Sequence, residues 1–114
     1  MSRIYKITPR AAWEAAERAG VFEGAPVDLA DGYIHFSTAA QAGETARKYF
    51  TGQADLLLVG FEAEALGPEL KWEPSRGGDL FPHLYAPLPT ARAVSRHALA
   101  LDGEGAPVMP ADLP

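Results

Sequence analysis

The chain has 114 residues, a net charge of −5 and no cysteine. That length makes one domain with a core of its own, and the missing cysteines exclude disulfides and thiolate metal sites. The acidic balance argues against general affinity for nucleic acid or an anionic membrane surface, while leaving room for a small local anion site.

Residues 3–7 alternate, with Ile4 and Lys6 on one face and Tyr5 and Ile7 on the other, which predicts a short first strand. Thr8 is placed to cap a helix whose first position suits Pro9. Ala12, Trp13, Ala16 and Ala19 give that helix an apolar stripe, and Gly20 closes it. Residues 21–32 carry Gly24, Pro26 and Gly32 and read as mostly loop. Residues 33–36 predict a second strand, with Tyr33 and His35 sharing a face.

A second helix follows, and Thr38 with Gln41 fits its capping box. Ala39, Ala42, Ala46, Tyr49 and Phe50 form its expected buried side. Residues 55–61 read as a strand covered on both faces. Residues 70–73 predict a short extended arm, and 94–101 a last strand. Residues 1–102 are expected as a single α+β domain, with two main helices and small mixed or antiparallel sheets. Residues 103–114 hold three prolines and are expected as a loose tail. The first residues lack the apolar core of a signal peptide, and the apolar run 56–59 is too short to cross a bilayer. The cytoplasm is therefore the expected location.

Two stretches carry chemistry rather than packing. One is 76–85, which combines Arg76, Gly77, Gly78, Asp79, His83 and Tyr85. Arginine suits forked recognition of phosphate or carboxylate, and histidine exchanges protons near neutrality. Arg76 either clamps an anion or pairs with Glu73 or Asp79. Pro82 cannot donate to a ladder, so this segment is expected to lie at a sheet edge or to leave the sheet. His83 shares a face with Phe81 and Tyr85, as a pocket group or as a solvated one. Trp72 is expected in the core or as the floor of a ligand pocket, and His97 at the surface.

The other stretch is 31–38. His35 ends a strand just before a helix whose first amides lack partners, so Ser37 and Thr38 mark a plausible phosphate seat with His35 beside it. A half-buried histidine bonded to its neighbours accounts for the same pattern. No glycine-rich phosphate loop, nucleophile elbow or helical histidine pair is present. His35, His83 and an Asp remain conceivable as a metal site of a metal-assisted hydrolase, although no spacing supports it.

The combination of Ile4-Tyr5-Lys6-Ile7, Trp13, the 31–38 run, Tyr49-Phe50, Trp72-Glu73 and the 76–85 run leading to Pro87-Leu88 resembles a bacterial family known as domain of unknown function 952. More distantly, the order of strand, glycine-ended helix, Tyr33-Ile34-His35-Phe36-Ser37-Thr38 and a second helix resembles the ADP-ribosyltransferase superfamily, in its RNA 2′-phosphotransferase branch. That resemblance implies an NAD-binding cleft between two small sheets. His35 matches the branch's second-strand histidine. Lys6 falls near a first-strand position that usually holds His or Arg, and no residue matches the third-strand glutamate of many members.

The expected function is binding of NAD or a related small nucleotide, with ADP-ribosyl or phosphoryl-type transfer. His35 and His83 are its catalytic candidates, and Lys6, Ser37, Thr38, Arg76 and Tyr85 its cofactor-binding candidates. A ligand-binding or regulatory module without catalysis is the alternative, and the Lys6 departure favours it.

Overall fold

Strand β1 (Arg3–Pro9) lies inside a five-stranded antiparallel sheet and is buried on both faces. The computed structural model describes residues 2–113, with the side chain of Arg76 outside the described set. The sheet order is β10-β9-β5-β1-β4, from β10 (Pro107–Val108), β9 (Ala93–Leu101), β5 (Leu56–Glu62) and β4 (Ser37–Thr38). Alternation along β1 and β5 sorts their side chains into two cores. Ile4, Leu57, Val59 and Phe61 join Trp13 and Ala16 of helix α1 (Arg10–Ala19). Tyr5, Ile7, Leu56 and Leu58 join Ala42 and Ala46 of helix α3 (Ala39–Phe50). The continuous apolar run in β5 is thus explained by a helix on either side.

The α+β class holds, with antiparallel sheets and few helices. Several expectations are corrected. Thr8 caps no helix; it is a buried residue of β1, and Pro9 precedes α1 without a side-chain cap. The stretch 21–32 is not mostly loop. It forms β2 (Val21–Phe22), paired with β8 (Leu88–Pro89), and the short helix α2 (Pro26–Asp31). Pro26 opens α2, and Gly32 ends it at φ +90°, where glycine is at ease. Ala12 and Ala19 face outward, since Trp13 and Ala16 are the buried residues of α1, and Tyr49 is exposed on α3, whose buried residues are Ala42 and Ala46. Residues 103–113 are docked rather than loose. β10 pairs with β9, Ala106 is buried, and Met109 and Leu113 cover the second core.

A three-stranded sheet, β3-β7-β6, stands beside the large one. It comprises β3 (Ile34–His35), β7 (Leu80–Leu84) and β6 (Leu70–Pro74). The chain passes from β3 of this sheet through buried Phe36 to β4 of the large sheet. His35 therefore sits where the two sheets meet. β7 is the central strand, not an edge as Pro82 suggested. The Pro82 carbonyl accepts from Phe36 N–H at 3.0 Å, so its nitrogen faces the side where β3 has already ended. The ladder to β6 loses no donor there. Trp72 is 41% exposed rather than core, on a strand that is open along most of its length.

Candidate functional site

Register fixes the site. His35 and His83 are directly opposite across β3 and β7, and Lys71 lies opposite His83 across β6 and β7. The period-two rule then puts Tyr33, His35, Lys71, Glu73, His83 and Tyr85 on one face of the small sheet, while Ile34 and Leu84 turn into the first core. Tyr33 is the hub. Its ring centroid lies 4.2 Å from that of His83, 4.6 Å from His35 and 5.1 Å from Tyr85. The two imidazoles are 5.5 Å apart, edge to face.

Each histidine has its own carboxylate. Glu73 Oε1 is 2.8 Å from His83 Nδ1 and also accepts from the Tyr85 hydroxyl at 2.6 Å. Asp28 Oδ1 is 2.6 Å from His35 Nδ1, and Asp31 Oδ2 is 2.9 Å from its Nε2. A carboxylate only accepts, so in the Glu73 bond His83 Nδ1 is the donor.

Asp28 is the least expected member. It is 2% exposed, and its carboxylate takes Lys6 Nζ at 3.0 and 2.8 Å, the His35 backbone N–H at 3.1 Å and the Ala25 N–H at 2.8 Å. Burial pushes the Asp28 carboxyl up, but His35, Lys6 and the Ala25 amide outweigh it and hold it at about 2. Burial lowers Lys6, with Asp28 opposing the shift. The bonds from Tyr85 and His83 hold Glu73 below the usual carboxylate range. The same bond to Glu73 pushes the Tyr85 phenol up to about 12. Tyr33 is raised by burial and by the charges of Asp31 and Glu73. The site is thus a ring cluster edged with ionised carboxylates.

Among the candidates read from the sequence, the structure brings His35, His83 and Tyr85 together. Lys6 is 5% exposed and reaches the cluster only through Asp28, so it supports His35 from behind. Ser37 is buried and bonds Thr45 on α3, while Thr38 and Gln41 satisfy each other in the expected capping box. Neither hydroxyl bonds the ring cluster. The Arg76 side chain lies outside the described residues; its backbone forms the 3₁₀ turn Arg76–Gly78 just before β7. Among the described residues no three His, Asp or Glu side chains are grouped to hold a metal.

Sequence reasoning missed Tyr33, Asp28 and Asp31 as site residues and treated Glu73 only as a partner for Arg76. A groove of about 270 Å³ opens beside the cluster, walled by Asp28, Leu29, Tyr33, Tyr85 and Pro87. Tyr33 and Tyr85 stand between this groove and the more deeply set His83.

The family described as "Protein of unknown function (DUF952)" matches residues 7–96. The crystal structure of protein CC0527 from Caulobacter crescentus is similar at 55% identity and TM-score 0.92, with 94% of each chain covered. The solution structure of the same protein gives 56% identity and TM-score 0.84, over 94% of this chain and 92% of that one. No curated protein matches the chain. The chain belongs to the DUF952 family.

Proposed function

We propose that this member of the DUF952 family binds a nucleotide through a flat, positively charged ring, with NAD as the first candidate, and transfers its ribosyl group. The observation that carries this reading is the ring cluster around Tyr33 with carboxylates bonded at its edges. Aromatic faces attract a cation, and the carboxylates of Asp31 and Glu73 favour positive charge beside them. A nicotinamide ring is flat and cationic, and the adjoining groove offers it the aromatic side chains of Tyr33 and Tyr85. When the bond from the ribose to that ring breaks, the electron pair leaves with the ring as neutral nicotinamide and positive charge develops on the sugar, until a hydroxyl or water oxygen bonds the same carbon and gives up its proton to solvent. A fixed carboxylate stabilises such a centre without needing to accept a proton. The resemblance to ADP-ribosyltransferases belongs to this reading and agrees with it at His35.

Calorimetric titration with NAD, nicotinamide riboside and ADP-ribose tests it. NAD and the riboside should bind, ADP-ribose should bind much more weakly, and Tyr33→Ala should lose the difference. Equal binding of NAD and ADP-ribose, or no binding by either, overturns it.

A second reading, binding without turnover, is favoured by one observation. His83 is 3% exposed beneath Tyr33, which withholds it from a ligand in the groove. Release of free nicotinamide from NAD on incubation with the protein separates the two.

A further inference from the structure

The groove beside Tyr33 has a neighbour. A second groove of about 290 Å³ shares the walls Leu84, Ala86 and Pro87 with the first and continues to Glu69, Leu66 and Arg92. The chain at 84–87 thus borders both, with the ring cluster on one side and an arginine on the other. Arg92 is exposed and ends the 3₁₀ turn Thr90–Arg92. Arg3, Arg10 and Arg96 each hold a carboxylate, but the Arg92 side chain has no hydrogen bond or ion pair among the described residues. Glu69 lines the same groove, yet no bond joins it to Arg92.

We infer that Arg92 is an anion subsite for the phosphate-bearing end of the ligand whose ring rests on Tyr33. This inference rests on the reading of the Tyr33 face given above. The carboxylates around the ring cluster repel phosphate, so an anionic group attached to a cationic ring must be carried away from them. The second groove lies just across the 84–87 wall and presents, beside Glu69, a cation whose planar fork suits phosphate oxygens. The two ends of the site therefore select opposite charges on one molecule.

The test compares nicotinamide riboside, which has no phosphate, with nicotinamide mononucleotide, on the native chain and on Arg92→Ala. The exposed turn leaves folding intact, which thermal unfolding verifies. Arg92→Ala should weaken the mononucleotide by roughly tenfold, the loss of one charged bond, and leave the riboside unchanged. Arg92→Lys should retain part of the preference. If the native chain binds both probes and Arg92→Ala binds the mononucleotide as well as before, the subsite is wrong. If neither probe binds the native chain, the Tyr33 reading fails, and inorganic pyrophosphate then decides Arg92 alone. Pyrophosphate that shifts the Arg92 Nε–H resonance to saturation supports the anion subsite, and an unmoved resonance overturns it.

Discussion

His35 and His83 face each other across the β3–β7 pair, yet they hang from different carboxylates on different elements. His35 is held by Asp28 of α2, which is itself anchored to Lys6 in the large sheet. His83 is held by Glu73 of the adjacent strand β6. The pair is therefore the seam between two supports: a buried ionic one reaching into the core, and an exposed one on the small sheet. Substitutions on the two sides should behave differently.

The buried side is the costly one to break. Lys6→Met leaves Asp28 as a buried carboxylate without its ammonium partner, and should cost about 3–5 kcal/mol. Lys6→Met combined with Asp28→Leu removes both charges and should recover much of that loss. Denaturant unfolding of the single and double variants measures it. A double variant less stable than Lys6→Met would show that Asp28 matters to the fold through its amide bonds more than through charge.

Asp28 also sets an acid limit. Its folded value of about 2 lies below the ordinary 3.8, so the unfolded chain takes up this proton more readily. The stability it contributes is complete above roughly pH 4 and is lost as the pH falls toward 2. Asp28→Asn should be less stable at neutral pH and should show a flatter decline across that window. Urea midpoints taken through the acid range decide the matter, and parallel curves for the two proteins would remove Asp28 from the account.

The ring cluster was half legible in the sequence, and the reason is local. His35, His83 and Tyr85 stand in short runs where polar groups interrupt an apolar alternation, and that interruption is visible without a structure. Asp28 is hidden because Gly24, Pro26 and Gly32 make its surroundings read as loop, while its partner Lys6 is remote in sequence. A signal was present in the Pro26 opening and in a carboxylate placed to accept the Ala25 amide, which together announce a short helix. Pro82 misled for a different reason. A proline excludes a strand from ladder donation only toward the neighbour its nitrogen faces, and here that neighbour had ended. The C-terminal stretch was misread because its prolines are obvious, whereas the open core face that Met109 and Leu113 cover is a tertiary fact.

Removing His35 and removing a core leucine should separate cleanly. His35→Ala takes one bond from Asp28, which keeps Lys6 and two backbone amides. The exposed bond from His35 Nε2 to Asp31 is lost as well, so the cost should be about 1–2 kcal/mol. Leu57→Ala empties a site in β5 that is closed on all sides and should cost roughly 2–5 kcal/mol. Unfolding midpoints in one denaturant series compare them. If His35→Ala is as damaging as Leu57→Ala, His35 is a structural residue and its place in the site must be given up.

Glu73 offers a test of the exposed side that leaves the core untouched. Its carboxylate accepts from Tyr85 and from His83, and the Tyr85 bond raises the phenol from 10.0 to about 12. Glu73→Gln keeps the shape and removes the charge. The phenol then loses the carboxylate whose acceptance of its proton is the largest cause of the shift, and its titration should move back toward the ordinary tyrosine range. NMR of ring-labelled tyrosine follows this at Tyr85. Tyr33, raised in part by the same charge, should move the same way by a smaller amount. The substitution should also weaken nicotinamide riboside binding, because the carboxylate is one of the negative groups that make the Tyr33 face attractive to a cationic ring. A Tyr85 titration that stays near 12 in Glu73→Gln would mean that burial rather than Glu73 sets it. Unchanged riboside binding would show that the aromatic faces alone hold the ligand.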